Sequence, residues 1–434
     1  MHLLLLTDSF PNQNGAGISQ TLYNLLEGWQ HPCTVLLPRH EAAPVDGRLP
    51  VQQLRYADGP WQPLHNRLGK WLNPWLQRKR LGWLSQQGLE SIRTSLPPAQ
   101  ESLVLVSTTV PEKLMAAYWL QQQGYTVVPY FMDDWMADNR LQWKGYNLQQ
   151  LVQQLLQQAP AWLMIGRQLA HTLRHRYNLL PKPTLIIHNP APQVQLIDDS
   201  WLPIAIGMAG EENDLLSQPQ TTNHKLPSHH QPPTTNYQPP TTNHQLIYAG
   251  SIWPMHADAL IAVAKAIHLL QAQGQTAYQL TIYTSEAHWA QYRLQLTGPG
   301  VQYGGWKPYH EIHAPLQQAW LLVCTASFAE AHQAYSRSSV QTKLTDYMAC
   351  GKPILFVGPA DAASGAFVED YDLGFTLATQ VPADIAERLQ AIARMPEQYH
   401  RKQLNSLHEA HTRFSKAEVQ QELYAFLKKI PSRL

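Results

Sequence analysis

Cysteine is scarce in this chain, with only Cys33, Cys324 and Cys350 among 434 residues. Three widely spaced thiols make neither a disulfide framework nor a zinc-ligand pattern, so a reducing compartment and no bound metal are expected. Charge is also sparse: 15% of residues are Asp, Glu, Lys or Arg, and the net charge is +1. That balance gives no argument for binding nucleic acid. Long hydrophobic runs are missing as well; none reaches the roughly 20 residues that span a bilayer. The N-terminal Leu3-Leu4-Leu5-Leu6 run stops at Thr7-Asp8 and has no basic residues before it. It therefore falls short of a signal peptide and reads as a buried first strand. A cytoplasmic protein is expected.

The length exceeds what one hydrophobic core supports and implies two domains. Between them lies a biased tract in which Gln218-Pro-Gln-Thr-Thr-Asn-His224 is echoed by Gln231-Pro-Pro-Thr-Thr-Asn-Tyr237 and Gln238-Pro-Pro-Thr-Thr-Asn-His244. Repeated prolines and almost no apolar side chains mark 200–244 as a linker insertion that is expected to be disordered. Its histidines, His224, His229, His230 and His244, are irregularly spaced and lack an accompanying acid or thiol, so they read as solvated.

On both sides of this tract, short apolar runs alternate with helical periodicity, the pattern of an α/β protein with parallel sheets. The first part, 1–199, has candidate strands at Leu3–Leu6, Cys33–Leu37, Leu103–Val106, Val127–Phe131, Leu163–Ile165 and Leu185–Ile187. The second, 245–410, has Leu246–Tyr248, Leu280–Tyr283, Leu321–Cys324 and Pro353–Val357, with helices at His256–Ala272 and Leu344–Ala349. Residues 411–434 contain an amphipathic helix over Lys416–Lys429. The fold class is thus α/β, two doubly wound Rossmann-like domains facing across a cleft. Ligands of such sheets bind beyond the carboxyl ends of the strands.

Three stretches suit anionic or hydroxyl-rich ligands. After the first strand, Gly15 and Gly17 lead into a helix and let backbone N–H groups approach a phosphate or an acceptor. After Leu246–Tyr248 comes Ala249-Gly250-Ser251-Ile252-Trp253-Pro254-Met255-His256, a strand-to-helix loop able to cup a diphosphate, with His256 as an optional charge. The third runs from Tyr335 to Leu355 and contains Ser338-Ser339-Val340-Gln341-Thr342-Lys343-Leu344-Thr345-Asp346-Tyr347-Met348-Ala349-Cys350-Gly351-Lys352-Pro353. Ser339 and Thr342 open a helix, Lys343 adds a cation, and Asp346 one turn on can accept two hydrogen bonds from a ribose diol.

This third stretch resembles the donor-site signature of glycosyltransferase family 4, the retaining group with the GT-B fold. It looks most like the branch reading Lys-Leu-x-Glu-Tyr-x-Ala-x-Gly-x-Pro, found in transferases for cell-surface polysaccharides. The similarity extends to Asp133-Asp134-Trp135, His188-Asn189-Pro190, Tyr248-Ala249-Gly250-Ser251 and Glu369-Asp370-Tyr371-Asp372-Leu373-Gly374. It implies a nucleotide-sugar donor held by the second domain, a glycan, lipid-linked or small-molecule acceptor on the first, transfer with retention, no cofactor, and a last helix within 411–434 that crosses back to the first domain. Asp346 stands where the family holds the ribose with glutamate. Ser338 stands at the family's other glutamate, and Ser251 at its phosphate-binding arginine. The missing charge then falls to Lys343 and to Lys307, which also reads as a solvated lysine.

Asp133 and Asp134 close the strand Val127–Phe131 and are the candidates to receive or orient the acceptor hydroxyl. Neighbouring carboxylates on a strand end point apart, which argues against a facing hydrolase pair. Residues 61–84 carry Arg67, Lys70, Arg78, Lys79 and Arg80 beside a tryptophan-leucine face, suited either to packing on the first domain with the basic face in water or to peripheral contact with an anionic membrane. Two other readings fit the same sequence: a donor-binding subunit without catalysis, and a sugar-nucleotide epimerase on the same fold.

Overall fold

The computed structural model describes residues 1–12, 17–39, 51–57, 82–137, 148–196 and 243–431, with isolated positions between 41 and 79. Two all-parallel sheets organise it. The first has the order β3-β2-β1-β4-β5-β6-β7, built from β1 (His2–Thr7), β2 (Cys33–Pro38), β3 (Gln52–Tyr56), β4 (Ser102–Ser107), β5 (Thr126–Phe131), β6 (Trp162–Met164) and β7 (Thr184–Ile186). The second has the order β10-β9-β8-β11-β12-β13, from β8 (His244–Ala249), β9 (Tyr278–Tyr283), β10 (Val301–Gly305), β11 (Leu321–Thr325), β12 (Ile354–Val357) and β13 (Gly374–Leu377).

Central strands are buried on both faces. β2, β4 and β5 are buried at every position and β1 from Leu3 onward. This explains why they read as unbroken apolar runs. The strands that the sequence pattern left unnamed, β3, β10 and β13, are all sheet edges. An edge strand needs fewer inward apolar residues: β3 is exposed at Gln52 and Gln53, and β10 at Gln302 and Tyr303. β8 begins at His244, whose ring stacks on Tyr278 at 4.6 Å, so this histidine belongs to the second sheet and not to the insertion. The rest of the Pro/Thr/Asn/His-rich tract, and most of 61–84 with Gly15, lie outside the described residues.

Helices flank both sheets: α1 (Ile18–Leu26), α2 (Pro111–Gln122), α3 (Leu148–Gln158) and α4 (Arg167–Arg176) in the first half; α5 (Pro254–Ala272), α6 (Glu286–Leu296), α7 (Tyr309–Gln317), α8 (Gln333–Ser338), α9 (Lys343–Ala349), α10 (Ala363–Asp370), α11 (Pro382–Ala393) and α12 (Pro396–His411) in the second. The last helix, α13 (Lys416–Lys428), packs on α1. Lys416 Nζ meets Glu27 Oε2 at 2.5 Å, and Gln420 Nε2 donates to the carbonyls of Leu25 and Glu27 at 2.9 Å. Nearby, Ala191 N donates to Phe414 O at 2.7 Å, and Phe414 is buried beside His188 and Phe367. Burying one phenylalanine contributes about 2 kcal/mol, so this aromatic knot is a firm joint between the halves.

In each sheet the strand order reverses at a central pair, β1/β4 and β8/β11, and there the carboxyl ends leave a crevice. Asp133 after β5 bonds Ser339, beyond β11, at 2.5 Å. The two crevices therefore face one another.

Candidate active site

The second domain supplies the core of the site. Tyr248 is fully buried at the end of β8, and its hydroxyl donates to Ser251 O at 2.8 Å, closing the Gly250-Ser251 turn. Gly250 adopts φ 129°, a backbone region that disfavours side chains, and a Cβ there would lie 3.4 Å from Lys343 Nζ. Lys343 reaches under this turn with its Nζ 3.8 Å from the centre of the Tyr248 ring. That Nζ is buried and has no hydrogen-bond partner. Burial lowers the lysine to about 8, with Cys324 and Asp346 opposing the shift.

Helix α9 is fastened to the sheet by Tyr347. Its oxygen accepts from Ala249 N at 3.0 Å, and its single hydrogen points between Ala249 O at 3.3 Å and Val323 O at 3.2 Å. This anchor places Lys343 and Asp346 at the end of β8, as their spacing on one helix requires. Asp346 accepts from the Tyr309 hydroxyl at 2.7 Å. Burial raises its carboxyl to about 7, while the Tyr309 hydrogen bond and Lys343 pull it down. Thr342 precedes α9 and spends its carbonyl on the Thr345 hydroxyl at 3.1 Å. Seven residues make a short dipole, so the positive charge here resides on Lys343 more than on the helix tip. Lys307 is half-buried, two residues before Tyr309, in the segment joining β10 to α7.

His256 departs from expectation. It is 6% exposed, its Nδ1 lies 3.0 Å from Thr325 O, and burial with the neighbouring Lys343 drives it down to about 3. It is a neutral side chain that joins α5 to β11, and it brings no charge to a phosphate. The 369–374 segment is likewise structural. Asp372, at φ 49°, accepts from Lys402 at 2.5 Å and Arg401 at 2.9 Å, and Gly374 leaves room for Ile354 O where β13 pairs with β12. That turn sits at the opposite ends of the strands from Lys343.

The first domain contributes the other wall. Asp133 and Asp134 do point apart, with opposite consequences. Asp134 gives both oxygens to Arg176 at 2.5 Å, and its side chain is 1% exposed. The expectation that Asp134 takes part in catalysis is therefore corrected: the pair fixes α4 to the end of β5. Asp133 faces Ser339 across the crevice, and burial raises its carboxyl above the usual range, with Asp134 and Asp8 adding repulsion and Ser339 opposing. Asp8, after β1, is clamped by Thr108 Oγ1 at 2.6 Å and Thr109 N at 2.7 Å. Gly17 caps α1 with φ 55°. Ser338 turns inward, its hydroxyl donating to Ala334 O at 2.8 Å.

The sequence pattern did not single out Tyr309, Asn24 or Arg176. Each reaches its partner across a long separation, and only Tyr309 had a local signal, the Lys307-Pro308 start of a helix. Among the described residues no group of three or more His, Cys, Asp or Glu is arranged to hold a metal.

Two facing Rossmann-like domains with this placement of residues define the GT-B fold. Residues 261–421 match the family described as glucosyltransferase 3-like, C-terminal domain. Solved structures share the fold at low identity. The HepE protein of Anabaena in complex with UDP-glucose superposes with a TM-score of 0.60 at 14% identity, over 99% of this chain and 100% of that one. Sucrose-phosphate synthase from Thermosynechococcus elongatus gives 0.64 at 11%, over 99% of each chain. An α,α-trehalose-phosphate synthase (UDP-forming) from Burkholderia vietnamiensis gives 0.60 at 10%, over 100% of this chain and 99% of that one. No curated protein matches the sequence.

Proposed function

We propose that the chain is a glycosyltransferase that moves a sugar from a nucleoside diphosphate sugar to a hydroxyl-bearing glycan or lipid-linked acceptor, with retention at the transferred carbon. One observation carries this reading: Lys343 Nζ is buried, unpartnered and stacked on Tyr248 beside the tight Gly250 turn. A buried ammonium with no hydrogen-bond partner is costly, and an anion arriving there relieves the cost. A carboxylate one turn away suits the diol of a ribose, so the two together suit a nucleoside diphosphate better than a free phosphate. UDP is the first candidate, because HepE and the trehalose-phosphate synthase are UDP or UDP-sugar proteins.

In this reading Lys343 and the Ser251 N–H face the departing diphosphate, the Gly250 N–H being spent on Tyr283 O at 3.0 Å, with Lys307 as a second cation. Asp346 orients the nucleoside, and Asp133 receives or aligns the acceptor hydroxyl. Rate comes from holding the reactants in register and from fixed charge at the leaving group. Metal is not required for that neutralisation. No described helix is long and apolar enough to cross a membrane. Cytoplasmic placement with peripheral contact through 61–84 remains part of the proposal. The exposed Leu68, Leu72 and Trp75 support the latter.

The non-catalytic alternative rests on Ser338, which leaves that position without a carboxylate. Calorimetry with UDP, GDP and ADP, followed by a UDP-release assay with UDP-glucose and extracted lipid-linked glycans, separates the readings. Acceptor-dependent release supports transfer. Tight nucleotide binding with no turnover on any acceptor supports the subunit reading. Failure of all three nucleotides to bind, or equal binding to Lys343→Ala, defeats both.

A further inference from the structure

The Asp346 carboxylate is tied into the opposite domain by a chain of side chains that the transfer chemistry does not itself require. Tyr309 is the first residue of α7, and its hydroxyl donates to Asp346 Oδ1 at 2.7 Å. Asn24, on α1 of the first domain, has its side-chain amide beside the Tyr309 hydroxyl, where it favours the ionised phenol. The same Asn24 amide donates from Nδ2 to Asn189 Oδ1 at 3.1 Å, and Asn189 Nδ2 donates to Thr345 Oγ1 at 3.3 Å. The path leaves α9 at Asp346, crosses into the first domain, and returns to α9 at Thr345, the next residue back.

We propose that Tyr309 is the positioning residue for the nucleoside-binding carboxylate, and that Asn24 couples it to closure of the first domain over the donor. This rests on the glycosyl-transfer reading above and extends it to a residue outside the donor-site stretch.

The chemistry of each group supports the role. A phenol donates one hydrogen, and spending it on Oδ1 leaves Oδ2 for the ribose diol. Aspartate is short, so its reach toward a ligand depends on its rotamer, and a charge-assisted hydrogen bond holds that rotamer. Burial and the Asp346 charge push the Tyr309 hydroxyl far above its ordinary range, so it stays protonated and remains a donor. The other titratable groups facing this pair are Lys343, which favours the carboxylate, Tyr347 and Cys350, both held neutral by burial, and His313. The His313 ring lies 5.0 Å from that of Tyr309 and is driven neutral by burial to about 4. None of Tyr347, Cys350 and His313 changes charge between pH 6 and 9, so among these protein groups the carboxylate and the lysine titrate there, and the nucleotide's terminal phosphate, which titrates near the acid end, is common to every variant. Asn24 and Asn189 are joined within the first domain, so separating the domains takes the Asn24 amide away from Tyr309 and parts Asn189 from Thr345 together.

The test is calorimetry from pH 6 to 9 with whichever of UDP, GDP and ADP binds the full chain most tightly. Wild type, Tyr309→Phe, Asn24→Ala and the double variant are compared, with Asp346→Ala as reference. Loss of the charge-assisted bond in Tyr309→Phe is expected to weaken binding about tenfold at pH 7. Its acid limb moves to higher pH, so the deficit shrinks by pH 8. A purely structural role would lower affinity equally at every pH. Asn24→Ala is expected to weaken binding less and to add little to Tyr309→Phe, because both act through one path. A Tyr309→Phe profile that overlays wild type overturns the positioning role even if Asp346→Ala still loses affinity. Full additivity of the two substitutions overturns the coupling. No nucleotide binding by wild type, or none lost in Asp346→Ala, removes the underlying reading and this inference with it.

Discussion

Lys343 and Asp346 lie one turn apart on α9, and burial moves each toward its neutral form, the lysine down to about 8 and the aspartate up to about 7. A ligand that needs both charges meets them together only in a narrow range. Below about 7 the carboxylate gains its proton and loses the ability to accept from two ribose hydroxyls. Above about 8 the ammonium loses its proton and with it the attraction for diphosphate. Nucleoside diphosphate affinity is therefore expected to peak between these values, with each limb approaching about tenfold per pH unit, the slope of a single essential proton. Calorimetry across pH 6 to 9 checks this, and a flat profile would remove both residues from the site.

Asp346→Asn should separate binding from stability. The amide keeps an oxygen to accept from Tyr309 but carries no charge to bury. At pH 8, where the wild-type carboxylate is mostly ionised, removing that buried charge is expected to stabilise the fold by about 1 kcal/mol, a rise of roughly 2–4 °C in Tm. Nucleotide affinity should fall about tenfold or more, because the ribose diol loses its anionic acceptor. A variant that melts lower than wild type at pH 8 would mean that the charge is well compensated by Lys343.

The alternation of buried strands and helices was legible because parallel central strands must be apolar on both faces, whereas β3, β10 and β13 were not, since edges carry no such constraint. Lys343 and Asp346 were readable for a local reason: one turn of helix sets their spacing. His256 was misread because a histidine's charge depends on burial, which its neighbours in sequence do not report. Tyr309 is 37 residues from Asp346 and Arg176 is 42 from Asp134. Only the sheet order brings such residues together. The Asp133-Asp134 pair shows both sides: strand alternation predicted that they diverge, but not which one meets an arginine.

Asp134→Asn is expected to be a stability variant. It leaves Arg176 with a neutral partner and removes a two-pronged charge-assisted pair whose acid is buried and whose arginine is part-exposed. Because the arginine can recover some hydration, the loss should be about 2 kcal/mol, lower than for fully buried pairs, with Tm falling by several degrees. Nucleotide affinity should stay within about twofold of wild type, as expected for sites without shared partners. Unchanged melting together with lost transfer activity would restore Asp134 to the reaction.

Ser339→Ala addresses Asp133. The serine hydroxyl donates to Asp133 across the crevice and stabilises its ionised form against burial and the repulsion of Asp134 and Asp8. Removing that donor pushes the carboxyl further up. If the ionised form orients the acceptor hydroxyl, activity is lost as pH falls through the carboxyl's pKa. The acid limb should then move to higher pH in the variant. Measuring kcat at saturating nucleotide sugar isolates this limb, because the Asp346 contribution acts on donor affinity and disappears at saturation. The variant should also admit acceptor more readily, since the hydroxyl no longer occupies the carboxylate, so the acceptor KM is expected to fall or hold while the limb moves. An unmoved kcat limb in Ser339→Ala, with Asp133→Asn still active, would show that Asp133 only bridges the domains and that the acceptor is handled elsewhere.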